Sequence, residues 1–415
     1  MMKQFSLVGV FVFVVFAATT HLFGQRKPER IILTWQGDPA TTATVTWRAA
    51  THLPAKAEIT QATAHPDFDQ VKHKIDATSD LVFIGEDTLR YHSVNFTGLT
   101  PATLYAYRVG DGKTWSEWIQ FKTAPPVFEP FSFIYLGDAQ NKIFSNWSRV
   151  IRAAYADDPK AAFIIHAGDL INHADDDEQW GEWFAAGNFI HASIPVVATV
   201  GNHEYIKNEQ GEKVSLSKFW QPQFNYPANN PERLEDQTYY VDYPGMRIIS
   251  LNSNKELEAQ AVWLAKVLKE NQQPWTVITF HHPIYSAAEG RENDGIVKFW
   301  KPLFDQYKVD LVLQGHDHTY ARGTDTNSPK VSKDASGTVY VVSVAGSKMY
   351  ELAKNSMWMK RSVENKQLYQ LLSVTKNKIS FVSKGVNGEI VDGFEIVKRK
   401  GKANKVVDTF IPSKK

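Results

Sequence analysis

Between residues 131 and 320 a series of apolar runs stops on glycine, aspartate, asparagine or histidine, and that pattern limits what the chain can fold into. The runs are "FSFIYLGD", "AAFIIHAGD", "IPVVATVGN", "MRIISLNS", "WTVITFHHP" and "VDLVLQGHDH". They are too uniformly apolar for a sheet with one wet face, so they read as strands buried on both faces. Between them "NWSRVIRAAYADD", "EQWGEWFAAGNFIH", "LEAQAVWLAKVLKENQ" and "VKFWKPLFDQY" carry helical periodicity. Strands alternating with helices predict an α/β domain whose sheet is parallel at least in part. In such a sheet the loops at the carboxyl ends of the strands converge on one crevice. Asp138, Asp169, Asn202–His203, His281–His282 and His316–His318 all fall at those ends. The first three sets are about thirty residues apart, close to one strand–helix repeat.

Singly, each set is weak. Gly-Asp and Gly-Asn are common turns, and paired histidines can be satisfied inside a core. Taken together, they make a donor set for two ions. A pair of divalent or trivalent ions about 3.5–4 Å apart needs a bridging carboxylate and several neutral or anionic ligands. Aspartate can bridge, histidine binds through one nitrogen, and asparagine offers a carbonyl oxygen. The chain has no cysteine, so disulfides, thiolate zinc sites and cysteine nucleophiles are excluded. Paired ions activate water and neutralise phosphoryl oxygens during in-line displacement. A histidine beside the ions that ligates neither can protonate the departing oxygen, and position 203 supplies one to spare.

Residues 28–125 have a different texture. "RIILTWQGD", "TATVTWRAA", "KAEITQA", "YHSVNFTGL", "LYAYRVGDG" and "WIQFKTAP" are short, rich in β-branched and aromatic residues, and separated by turn formers. They predict an all-β sandwich that resembles a fibronectin type III module, with Tyr105 placed for a tyrosine corner and Trp47 as a core aromatic. "TAPPVFEP" (123–130) reads as a stiff linker to the α/β domain, expected over 131–385. Residues 204–240 have weak periodicity and are expected to lie over the domain as a long loop. Residues 386–415 read as a last strand and a basic tail. Lys3 followed by the apolar run Phe5–Ala18 reads as a signal peptide over residues 1–25, cut near Gly24–Gln25, which implies a secreted or periplasmic protein; an uncleaved anchor is the alternative. The net charge of +1 gives no electrostatic case for nucleic acid or a membrane surface.

With "GDAQ", "GDLIN", "GNHE", "HHP" and "GHDH" in this order, residues 131–320 resemble the calcineurin-like metallophosphoesterases. Preceded by a β-sandwich, they resemble the purple acid phosphatases within that superfamily. The resemblance implies β-sheets sandwiched by helices and two metal ions of Fe, Zn or Mn. It implies that Asp138 and His318 hold the first ion, that Asp169 bridges, and that Asn202, His281 and His316 complete the second site. His203 would be the general acid. His281 is the ligand rather than His282 because the family's ligand stands two residues before proline. His282, Glu204, Tyr320 and Arg322 are candidates for orienting ligands or substrate, while His166 and His173 are read as bystanders, with His173 the one nearer the cleft.

The departure is Asn172, which stands where the family's GDxxY tyrosine binds ferric iron and gives the colour. A neutral amide makes no such band, so a colourless enzyme is expected, with a first site that accepts Zn, Mn or Fe(II). The acids Asp175–Glu178 read as charge at a helix N-terminus rather than further ligands. The expected reaction is hydrolysis of a phosphomonoester. The alternatives are a phosphodiesterase or nucleotide hydrolase on the same site, and a binding protein with a vestigial metal site.

Overall fold

A computed structural model describes residues 27–50, 53–85, 87–324, 337–354 and 356–410, so the expected signal peptide lies outside the described residues. Among those residues, no helix is long and apolar enough to cross a membrane. The first domain has eight strands: β1 (Glu29–Thr34), β2 (Ala43–Ala49), β3 (Lys56–Gln61), β4 (His73–Asp76), β5 (Thr78–Ile84), β6 (Asp87–Phe96), β7 (Leu104–Gly110) and β8 (Ile119–Lys122). They form two antiparallel four-stranded sheets, ordered β1-β2-β6-β5 and β4-β3-β7-β8. Inward residues such as Val45, Trp47, Phe96, Tyr107 and Phe121 fill the space between them. The Tyr105 hydroxyl accepts a bond from the Thr100 amide at 2.9 Å, which is the expected tyrosine corner.

The second domain is built on two seven-stranded sheets. Strands β9 (Phe131–Leu136), β10 (Ile164–His166) and β11 (Val196–Ala198) run parallel. Next in the chain come the hairpin β12 (Tyr205–Lys207) and β13 (Lys213–Leu216), then β14 (Tyr239–Tyr243), β15 (Met246–Ser250), β16 (Trp275–Thr279), β17 (Leu311–Gln314), β18 (Tyr320–Thr324), β19 (Val339–Val342) and β20 (Met359–Val363). The chain closes with β21 (Leu368–Val374), β22 (Lys378–Gly385), β23 (Ile390–Val397) and β24 (Lys405–Asp408). The first sheet has the order β11-β10-β9-β21-β22-β23-β24 and the second β14-β15-β16-β17-β19-β18-β20.

Period-two alternation explains why the second sheet is apolar on both faces. Met246, Ile248, Val277, Leu311, Leu313, Val339 and Val341 turn toward the first sheet and share its core. Ile249, Ile278, Val312, Tyr340 and Val342 turn outward, beneath three helices: α5 (Leu257–Lys269), α6 (Asp294–Phe299) and α7 (Lys301–Tyr307). The first sheet is covered in the same way by α1 (Ser148–Asp157), α2 (Asp177–Gly187) and α3 (Phe189–Ser193); a short α4 (Trp220–Gln223) lies in the 204–240 region. The stretch expected as one helix after residue 177 breaks at Asn188, whose φ of 43° is not helical. The sheets are joined where their functional ends meet. The Tyr135 hydroxyl donates to the Gln314 carbonyl, and Asp138 bridges in parallel to Val344.

Two expectations need correction. The catalytic sheet does not stop at residue 385: β23 and β24 continue it, with Phe394 and Ile396 fully buried. Lys398, Lys400 and Lys402 between the two strands, and Lys405 at the start of β24, disguise the second of them as a basic tail. Residues 204–240 are also not simply a loop, since they hold the β12–β13 ribbon and α4. The acids at 175–178 do start a helix. The Asp176 carboxylate accepts from the amides of Glu178 and Gln179, capping α2. Asp177 does something further: it pairs with Arg30 and Arg48 of the first domain at 2.8 Å each. Tyr107 donating to the Ala192 carbonyl at 2.7 Å adds a second tie between the domains.

Candidate metal centre

The candidate residues meet because the parallel strands end at one level. Asp138 follows β9, Asp169 follows β10, Asn202 and His203 follow β11, His281 follows β16 and His316 follows β17. Two groups of donors result, Asp138–Asp169–His318 and Asp169–His281–His316; within each, the ligating atoms lie within 4.8 Å of one another. Asp169 belongs to both. Asn202 joins the second group, its Oδ1 lying 3.2 Å from His281 Nε2. His316 Nδ1 lies 3.1 Å from that same nitrogen, and His281 Nε2 is 3.0 Å from Asp169 Oδ2.

The backbone is bent to bring these groups together. Asp169, His316 and His318 have φ values of 52°, 76° and 50°, in the left-handed region that non-glycine residues rarely enter. Each such residue costs on the order of 1–3 kcal/mol, and it persists only where the surroundings fix it. Two glycines allow the close approach. A Cβ on Gly201 would stand 2.2 Å from Asp169 Oδ1, and one on Gly315 the same distance from Asp138 Oδ1.

Hydrogen bonds then fix which atom of each side chain faces the pocket. His281 Nδ1 lies 2.9 Å from the Ala167 carbonyl and His318 Nδ1 lies 3.0 Å from the Lys348 carbonyl. A carbonyl only accepts, so both Nδ1 atoms carry protons and both Nε2 atoms are left as ligands. The same logic applies to His203, whose Nδ1 donates to the Asn172 carbonyl at 2.6 Å while its own amide donates to Asp169 Oδ1 at 2.9 Å. Glu204 holds the loop beneath: its carboxylate accepts from the amides of Asp169, Leu170 and Gly201 at 2.7–2.9 Å. His282 lies beside the pocket with its ring 4.3 Å from that of His316, and is held by Ser253 Oγ at 2.8 Å.

The electrostatics ask for a cation. Burial raises the Asp138 carboxyl to about 7, His281 opposing and Asp169 adding to the shift. Burial works against a charged His281, yet the Asp169 and Asp138 carboxylates hold its imidazole up at about 9. Burial lowers His318 to about 3, and lowers His203 with Asp169 opposing. Two buried carboxylates thus draw a proton onto the ring between them, and a bound cation would take that proton's place. Imidazole, carboxylate and amide donors, with no thiolate, fit a hard or borderline ion.

Not every candidate belongs here. Tyr320 and Arg322 do not reach the pocket; they bind Asp392 of β23, with Arg322 Nη2 at 2.9 Å and the tyrosine hydroxyl at 2.7 Å, and Arg322 also meets Asp408. Both lie on β18, in the same period-two register, so their side chains serve the C-terminal strands. His166 is fully buried among Trp147, Trp183 and His191. His173 is exposed and bonds the Asn172 amide at 2.9 Å. Three residues went unsingled in the sequence. Gln140 faces Asp169, Ser253 holds His282, and the Asn254 amide donates to the Val200 and Gly201 carbonyls before Asn202. "GDAQ" and "SLNSN" carried the only available signal, a polar residue just past a buried strand.

Sheets packed face to face between helices, with metal donors at the strand ends and an unligated histidine among them, define a metallophosphoesterase. Comparison with known proteins agrees. Residues 131–320 match the calcineurin-like phosphoesterase family and residues 28–123 match the purple acid phosphatase N-terminal domain. The chain thus carries a calcineurin-like phosphoesterase domain preceded by a purple acid phosphatase N-terminal domain. A purple acid phosphatase of Glycine max is 26% identical over 363 residues, covering 80% of this chain and 75% of the relative. An Arabidopsis thaliana relative described as an Fe(3+)–Zn(2+) purple acid phosphatase is 27% identical over 241 residues, 53% of this chain and 49% of its own length. The chain therefore spans three quarters of one relative and about half of the other. The solved purple acid phosphatase of yellow lupin seeds shares the fold, with a TM-score of 0.75 at 19% identity over 90% of this chain and 75% of that one.

Proposed function

We propose that the protein is an exported phosphatase that hydrolyses phosphomonoesters at a binuclear metal centre. The observation that carries this reading is the shared Asp169, common to two donor groups in one pocket and bonded to the amide of His203. Two bound ions would supply an activated water and neutralise the phosphoryl oxygens. The chain's own residues do the rest. Asp138 and His318 would hold one ion, Asn202, His281 and His316 the other, and Asp169 would be shared between them. His203, with Nδ1 committed to the Asn172 carbonyl, presents Nε2 to the leaving oxygen and gives up its proton there. Glu204 and Asn254 keep the loops that carry Asp169 and Asn202 in register. The Fe(3+)–Zn(2+) description of the Arabidopsis relative supports iron and zinc as native ions, with manganese the alternative. Because every core donor is present, a vestigial site is the weaker reading.

The test is His203→Ala with a poor leaving group, such as an alkyl phosphate. Turnover should fall about 10²–10⁴-fold, the range for a lost general acid, while metal content stays at its wild-type value. Equal turnover by the two proteins would remove the acid role.

A further inference from the structure

We infer that Gln140 is a fourth protein ligand of the first ion, binding through its amide oxygen; this rests on the binuclear reading above. Gln140 is completely buried, two residues past Asp138. Its Nε2 lies 2.7 Å from Asp169 Oδ2 and 3.3 Å from His318 Nε2, both of them atoms of the first donor group. Its Oε1 is also buried and has no hydrogen-bond partner.

In this orientation the amide nitrogen, not the oxygen, faces the donor atoms. Two acceptors, a carboxylate oxygen and the unprotonated Nε2 of His318, need a donor, and the amide NH2 provides it. A cation between Asp138, Asp169 and His318 occupies those same lone pairs. The NH2 is left with nothing to donate to and sets its positive end against the ion. Rotation by half a turn about the last side-chain bond exchanges nitrogen for oxygen at nearly unchanged shape. It brings to the ion a carbonyl oxygen that is otherwise orphaned, a costly state for a buried acceptor.

Ligand counting supports the same assignment. The second group has four donors (Asp169, Asn202, His281 and His316), one of them an amide, whereas the first has three. Asn172 does not make up the difference: its amide bonds His173 at the surface and its carbonyl serves His203. Gln140 is the side chain in place to do so, and it makes the two sites alike in count and in amide content.

The experiment is metal content per chain across a series of buffered free Mn(II) concentrations, for wild type, Gln140→Ala and the near-isosteric Gln140→Glu. Wild type should bind two ions. Gln140→Ala should keep one at wild-type affinity and bind the other at least about ten-fold more weakly, the lower end of the loss typical around metal sites. Gln140→Glu should bind that ion at least as tightly as wild type, because a carboxylate is the stronger oxygen ligand. If Gln140 instead only donated to Asp169, glutamate would set two carboxylates against each other and weaken the ion as alanine does. That result, or unchanged binding in Gln140→Ala, overturns the inference. Fewer than two ions in the wild type would instead overturn the binuclear reading beneath it.

Discussion

At the scale of single residues, Asn172 separates this chain from the pattern that gives purple acid phosphatases their name. Its side chain carries no phenolate and engages His173 rather than the donor groups. Iron-loaded protein should therefore show no intense visible charge-transfer band. A strong band in its absorption spectrum would mean another tyrosine ligates, and Tyr350 would be the first to examine, since its ring stands 4.8 Å from that of His318. Residue-level legibility was uneven, for physical reasons. Aspartate and histidine at strand ends announce themselves because their chemistry is specific and their positions repeat. Gln140 and Asn254 did not, because a neutral amide a few residues past a strand has no specific chemistry until its neighbours are known. Arg322 misled for the converse reason: closeness to His318 along the chain says nothing about the direction of a side chain on β18, and Asp392, its partner, lies seventy residues away.

At the scale of elements, the strand–helix alternation was readable from hydrophobic period alone, and it placed the crevice correctly. One strand was expected beyond residue 385, but the second C-terminal strand and the β12–β13 ribbon were not readable, because short strands flanked by lysines look like solvated chain. The ribbon begins two residues after His203 and pairs Lys207 directly with Lys213. Like charges opposite one another weaken a two-stranded ribbon. Both ammonium groups act on His282, and partial desolvation followed by Lys207 lowers Lys213 to about 8. An anionic substrate relieves that repulsion. The double substitution Lys207→Gln with Lys213→Gln should lower kcat/KM for a phosphomonoester about ten-fold at low salt, the lower end of electrostatic steering, with the gap closing as salt screens both proteins. A salt-independent difference, or none, would show the ribbon to be uninvolved.

At the scale of the whole molecule, the two domains are joined by ion pairs at Asp177 and by a continuous apolar core in which Ile32, Trp35 and Tyr91 of the sandwich pack with the catalytic sheets. The same interior sets an acid limit. His166 and His191 are fully buried; burial lowers His166 to about 3, and burial with His166 lowers His191 well below the ordinary 6.5. Above that value both the folded and unfolded chains are neutral at these rings. Below it the unfolded chain takes up protons that the folded rings refuse, so stability falls with pH from 6.5 toward 3. Each ring contributes about 1.4 kcal/mol per pH unit in that window. Urea unfolding at pH 7 and pH 5 should show this loss, and His191→Leu should lose less than wild type between the two; an equal loss would place the acid sensitivity elsewhere. The central claim concerns the two donor groups that share Asp169. Its most direct test is hydrolysis of 4-nitrophenyl phosphate by metal-free protein titrated with Zn(II) or Mn(II). Activity should rise to a plateau at two equivalents per chain. A plateau at one equivalent, or two bound ions without hydrolysis, would contradict it.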